Sequence, residues 1–201
     1  GAVGSAEATH AVLVGDDGAV VARLLPTAAP TSVDGVLARS VDPSSAPDPV
    51  ALPAGWRAEV DLLRASLLAG LLRRFVDHAR EVVLHHARAW HEAPVESADQ
   101  DPHTQARFGQ AYAVLAAVES LVEEAHPRTD ERVDDPAVAD RSAVARHYVD
   151  RRAGEVVTDV IAVLGASSAT RKLGLDVHWR ALRGLGAALP PLAPLPLPLP
   201  R

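Results

Sequence analysis

The chain has 201 residues, of which 48% are apolar and only 3% aromatic, with a formal net charge of −6 and no cysteine. That length and apolar share suit one domain of moderate size, or a small domain with an appendage. The acidic balance argues against a nucleic-acid or anionic-membrane partner, and the lack of thiols excludes disulfides, thiol catalysis and thiolate metal sites.

With so few aromatics, a core must be built from Leu, Val and Ala, which favours helices over a β-sandwich. No apolar run reaches the roughly 18–20 residues needed to span a bilayer. The longest stretch, Leu62 to Val83, is interrupted by Arg64, Arg73, Arg74, Asp77 and Arg80. Gly1–Ser5 has neither the basic start nor the apolar stretch of a signal peptide. Methionine is absent, position 1 included, which predicts a processed chain or a piece of a longer one. A cytoplasmic location is expected.

Residues 1–55 read as extended structure and loop. Ala11–Val14 and Ala19–Leu25 are apolar runs flanking Gly15-Asp16-Asp17-Gly18, a hairpin turn signal. Val33–Ala38 reads as a short strand, and Asp42–Pro53, with four prolines, as a linker. Residues 56–91 read as one long helix, with Val60, Leu63, Leu67, Leu68, Leu71, Leu72, Phe75, Ala79 and Val82 at helical spacing. Asp61, Arg73, Arg74, Asp77 and Arg80 fill the other face.

Asp101-Pro102 supplies an N-cap acid and a proline at the first helical position, so a second helix is expected over 101–126. Asp135-Pro136 repeats the signal for a third helix over 136–164, with Gly165 as its C-cap. A short fourth helix is expected near Leu175–Leu182. The tail from Ala187 is mostly Leu and Pro and is expected to be non-helical. The expected fold is mainly α: an antiparallel helical bundle with a small N-terminal β-hairpin region. The expected units are 1–55, 56–185 and 186–201.

Four segments, in order, carry a resemblance: Arg88-Ala89-Trp90, Asp101-Pro102-His103-Thr104-Gln105-Ala106-Arg107-Phe108-Gly109, Leu164–Thr170, and Gly174-Leu175-Asp176-Val177-His178-Trp179-Arg180. Over roughly residues 56–185 they resemble the C-terminal helical domain of acyl-CoA dehydrogenase-like flavin proteins. The dibenzothiophene-type flavin monooxygenase branch is the nearest in pattern. Val33-Asp34-Gly35-Val36 resembles the strand that leads into that bundle. The resemblance implies an FMN or FAD cofactor contacted by Arg107, Phe108, Gly165, Ser167, Ser168 and Arg171. It also implies a small organic substrate or an acyl thioester. A homo-oligomer is implied as well, or a second subunit that supplies the family's missing domains.

The chain departs from that pattern after Arg183. The monooxygenase branch continues into a His-Asp-Pro motif, whereas Gly184-Leu185-Gly186-Ala187-Ala188-Leu189-Pro190-Pro191 stands here. No catalytic base is carried over. Two functions remain: a flavin-dependent oxidoreductase present as a fragment or subunit, or a reduced, non-redox relative acting as a cyclase-type enzyme or structural partner for a small hydrophobic ligand.

The bland readings stand beside these. Arg107 can be an exposed helix arginine rather than a phosphate contact. Gly165–Thr170 can be a plain C-cap turn. Arg171, Lys172, Arg180 and Arg183 read better as helix-end charges than as an anion patch. His78, Glu81 and His85 share a helical face but lack a His-Glu-x-x-His pattern, so no metal is expected. His178 and Trp179 read as packing residues.

Overall fold

A computed structural model of the chain describes residues 2–3, 10–15, 18–23, 31–33, 36–39, 51–89, 94–165, 168 and 173–188. The chain runs through strands β1 (Ala2–Val3), β2 (His10–Gly15), β3 (Gly18–Arg23), β4 (Thr31–Val33) and β5 (Val36–Arg39). The helices are α1 (Trp56–His85), α2 (Pro102–Ala125), α3 (Pro136–Leu164) and α4 (Leu175–Ala188). None of the described helices is long and apolar enough to cross a membrane.

β2 and β3 pair antiparallel, in a register running from His10–Arg23 to Gly15–Gly18. β5 lies between β1 and β4 in a second small antiparallel sheet. The single strand expected over Val33–Ala38 is instead a junction, where Val33 of β4 faces Val36 of β5. The sequence between them is Asp-Gly, a pair that favours turns.

α1 is the hub of the bundle. It packs most extensively on α3 and also against α2 and α4. Buried alanines at 65, 69, 79, 111, 145 and 153 let the helix backbones approach closely. Leu68, Leu72, Phe75, Val76, Leu115, Val118, Val149, Val157, Val160 and Leu175 fill the space between them. Five of these are valines, which are weak helix formers. Their burial in tertiary contacts outweighs the local preference.

Gly55 starts α1 in a left-handed conformation, φ 81°. A side chain there would come within 2.8 Å of the backbone nitrogen of Asp134, so this helix start and the α2–α3 loop meet backbone to backbone. α1 ends at His85 rather than at 91. The His86 and Ala87 N–H groups both donate to the Val82 carbonyl, at 2.8 and 2.9 Å, which closes the last turn early. α4 runs past both the expected end at Leu182 and the expected boundary at residue 185. It stops at Ala188, two positions before Pro190, the first residue unable to continue a helix. Of the expected linker Asp42–Pro53, residues 42–50 lie outside the described residues, as does the tail from 189; Ala187 and Ala188, expected in the non-helical tail, are instead the last residues of α4.

The buried stripe of α1 is not the one the spacing suggests. Leu63 is 70% exposed and Leu67 49%, with Val60 beside them at the surface. Asp61 and Arg64, polar interruptions in the sequence, lie instead at the α1–α3 seam. Arg64 Nε donates to Asp150 Oδ1 at 3.1 Å. Arg146, 4% exposed, sits 2.8 Å from Asp61 Oδ1 through Nε and 3.4 Å from Asp150 Oδ2 through Nη1. The Asp61 contact is an ion pair off the hydrogen-bonding axis, since neither atom meets hydrogen-bond geometry. Burial pushes the Asp61 carboxyl up, against the pull of Arg146 and Arg64.

Removing one member of a buried ionic cluster strands the others. Arg146→Met is therefore expected to cost about 3 kcal/mol of stability, read as a lowered urea midpoint. Arg73, in contrast, forks onto Glu119 at the exposed α1–α2 flank. Arg73→Ala is expected to leave the midpoint almost unchanged. Equal effects of the two changes would overturn the assignment of the seam as the dominant polar tie.

Candidate functional site

Three distant segments converge at one end of the bundle. Ala87, Arg88 and Ala89 follow α1, Asp101 to Thr104 open α2, and Leu164 and Gly165 close α3. Together they line a cleft of about 720 Å³. A 3-10 turn, Ala98–Gln100, leads the chain into α2 along its edge, with Ala98 buried.

Asp101 anchors this corner. Its Oδ1 accepts the His103 N–H at 3.1 Å, and its Oδ2 accepts both the Thr104 N–H at 3.2 Å and the Thr104 hydroxyl at 2.8 Å. The Thr104 hydroxyl above all, then the His103 and Thr104 N–H groups, hold the Asp101 carboxyl below its ordinary range, against the opposing cost of desolvation. The start of α2 is thereby fixed in place, with His103 and Thr104 presented to the cleft.

Gly165 ends α3 at φ 63° and ψ −158°. Among the described residues no atom beyond its chain neighbours lies within 4 Å of where a side chain would begin, so on that side its backbone is open to close approach. Ser168 is buried and donates its Oγ hydrogen to the Gly165 carbonyl at 2.6 Å.

The sequence-derived site residues distribute unevenly over this geometry. Arg107 lies farther along α2, over a small groove of about 100 Å³ between α2 and α3. Its Nη1 is 3.9 Å from Asp159 Oδ2, a long contact that leaves a half-exposed guanidinium with donors to spare. Phe108, grouped with it in the sequence, points into the interhelical core. At that position it seats α2 on its neighbours. Ser167 and Arg171 lie outside the described residues, as do Trp90, Lys172 and the side chain of Arg183. Arg180 pairs with Asp176 at 2.6 Å, as the helix-end reading expects.

His78, Glu81 and His85 do not converge. Glu81 meets His85 at 3.3 Å and Arg80 at 3.1 Å, while His78 turns to α4 and meets His178. Among the described residues, no group of three His, Cys, Asp or Glu side chains could hold a metal ion. Arg88, His103 and Thr104 also line the cleft; for His103 and Thr104 the signal in the sequence is the Asp-Pro-His-Thr cap itself.

No family model matches the chain. SfnC of Pseudomonas putida, a probable FMNH2-dependent monooxygenase, is 28% identical over 153 residues, covering 68% of this chain and 38% of SfnC. The dibenzothiophene monooxygenase TdsC of Paenibacillus sp. A11-2 superposes with a TM-score of 0.64 at 21% identity, over 94% of this chain and 59% of TdsC. The methanesulfinate monooxygenase MsuC of Pseudomonas fluorescens superposes with a TM-score of 0.64 at 21% identity, over 92% of this chain and 57% of MsuC. TdsC has also been solved as a complex with FMN and indole. All three are monooxygenases, SfnC and TdsC with FMN named, and the bundle shares the acyl-CoA dehydrogenase-like fold that the four sequence segments implied. The chain spans little more than half the length of these solved relatives and 38% of SfnC.

The cap at Asp101 generates a signed expectation. Its folded carboxyl is held below the unfolded value, so its stabilisation is present above that unfolded value and is lost as pH falls through the folded one. Asp101→Ala is expected to lower Tm by a few degrees at pH 7 and to flatten the loss of Tm below about pH 4. Asp101→Asn, which still caps, is expected to keep most of the pH 7 stability and to flatten the same acid limb. An unchanged acid limb in both variants would show that the cap does not set it.

Proposed function

We propose that this chain is the helical-bundle part of an FMN-dependent monooxygenase of the acyl-CoA dehydrogenase-like fold, acting within a larger enzyme or as one subunit of a split one. The observation that carries the reading is the convergence of Arg88-Ala89, Asp101–Thr104 and Leu164-Gly165 on one cleft. They are three of the four segments that resemble the flavin family, and the chain separates them widely. In this reading residues 1–55 are the edge of the family's middle β-domain, with the N-terminal hairpin region as its remnant. Residues 56–185 are the bundle and 186–201 an accessory tail.

The residues present fit an anionic flavin. Arg107 keeps guanidinium donors beyond its long contact to Asp159, and planar guanidinium matches phosphate oxygens. Gly165 offers open backbone where a Cβ would otherwise stand. Ser167 and Arg171 complete the contact set in this reading, and Phe108 contributes by holding the Arg107 turn against the core. Reduced flavin, when bound, supplies the electrons that activate dioxygen for insertion into a small organic substrate. The chain's own part is to orient the phosphate end through Arg107 and to wall the cleft with Val83, Ala98, Val163 and Leu164, which exclude water from an apolar substrate.

Assembly belongs to the same reading. Val60, Leu63 and Leu67 form an exposed apolar stripe on α1, which a second copy or a second subunit would cover. A cytoplasmic setting is proposed with it, because the reducing equivalents for flavin are available there.

Titration with FMN and FAD, followed by flavin fluorescence, tests the reading. Saturable binding in the micromolar range is expected, with FMN preferred. Arg107→Ala is expected to weaken it about tenfold, the loss of one charge-assisted contact of about 1.5 kcal/mol. Arg107→Lys restores charge but not the planar fork, so only partial recovery is expected. No saturable response to either flavin would sink the reading and turn the search toward a non-redox ligand.

A further inference from the structure

We infer that α4 is a pH-released cover over the α1–α3 seam, latched to α1 by the hydrogen bond between His78 and His178 and freed when both imidazoles are protonated. His78 Nδ1 and His178 Nε2 stand 3.2 Å apart across the two helices. The rings meet edge to face, with centroids at 5.3 Å. Gly174, at φ 67° just before α4, lies against His78, and a Cβ there would come 3.7 Å from its Cε1. The pair therefore sits where the chain turns into α4.

The helix it latches is one-sided. Leu175 and Leu182 are buried, whereas Val177 is exposed. Trp179 and Leu182 close over Leu68 of α1 and Val157 of α3, at the wall of a cleft of about 650 Å³. The Asp176–Arg180 ion pair is internal to α4 and does not tie it down. Swinging α4 outward would open that cleft to the core.

The switch follows from imidazole chemistry. In the neutral pair one ring donates N–H and the other accepts through its lone pair. One added proton keeps an acceptor. A second proton removes it, leaving two N–H groups and two cations face to face at hydrogen-bonding distance.

The groups around the pair set the balance. From α1, Arg74, Asp77, Arg80 and Glu81 line the same open groove of about 910 Å³, and Tyr112 enters it from α2. Glu81 is engaged by His85 and Arg80, and Arg73 by Glu119 of α2. Asp77 faces Tyr112, whose phenol is pushed up by burial and by that carboxylate. Arg74 adds positive charge beside His178. Burial first, then His78 and Arg74, hold the His178 imidazole below its ordinary value.

A depressed folded value means that undocked α4 binds the proton more tightly than docked α4. The docked form is therefore favoured above about pH 6.5 and loses ground as pH falls from there toward the lower folded value. This holds whether or not flavin binds.

Hydrogen exchange of the α4 amides, corrected for intrinsic rates, reads the latch in the whole chain. Protection over residues 175–188 is expected to fall about tenfold from pH 7.5 to pH 5, while α1–α3 core amides keep theirs. His178→Phe keeps a ring and cannot titrate, so its α4 protection is expected not to change with pH. If that variant does not fold, imidazole NMR of the unaltered protein decides. His78 and His178 titrating as a coupled pair, with the second step coincident with α4 release, supports the latch. Protection independent of pH, or a pH response that survives His178→Phe, would overturn it, as would imidazole titration unconnected to α4 exchange.

Discussion

The ionic seam between α1 and α3 fixes the rest of the bundle. Arg64 reaches Asp150 and Arg146 reaches Asp61, so the two helices run parallel, with an offset of 86 residues between Arg64 and Asp150. The ends of α1 and α3 and the start of α2 at Asp101 then come together, and the space between them is the cleft. Hydrophobic contacts are tolerant of sliding, but point charges with fixed partners are not. A buried salt bridge is a weak source of net stability. Here its consequence is register, and register places the site.

The helices were legible because each carried both a pattern and a stop. Asp101-Pro102 and Asp135-Pro136 marked two starts that the structure reproduces to the residue, since proline at the first turn loses no hydrogen bond there. What the pattern could not resolve was rotation. Val60-Leu63-Leu67 and Leu68-Leu72-Phe75 are adjacent stripes of one helix, and either satisfies a period of 3.6 residues. The choice between them is made by α3, through Arg64 and Asp61, which in sequence look like ordinary surface charges. The end of α1 was lost for a related reason: Arg88-Ala89 reads as helix by composition, but the bonds to the Val82 carbonyl end it sooner.

The site was legible at its caps and poorly legible between them. Asp101 and Gly165 announce themselves because backbone geometry demands those residue types. Arg107 and Phe108 are neighbours in sequence but point to different places, one to the α2–α3 groove and one to the core. Adjacent helical positions are about 100° apart, so a motif of consecutive residues cannot all face one ligand. His103 and Thr104 escaped notice because a capping sequence explains them fully without any ligand.

The position of α4 ties these two themes together. It begins beside His78, against which Gly174 lies. It is the outer member of the bundle, resting on Leu175, Leu182 and Trp179, and its polar side carries a titratable pair rather than a permanent one. The contrast with the seam is physical. Guanidinium and carboxylate are ordinarily charged across the neutral range, whereas imidazole ordinarily changes its charge within it. The bundle thus joins a rigid half, α1 with α2 and α3, to a helix whose attachment depends on proton activity. Residues 165 and 174 bound the connection between the two, and Gly165 lines the cleft. A displacement of α4 would therefore be passed along the chain toward the cleft that Asp101 and Gly165 both line.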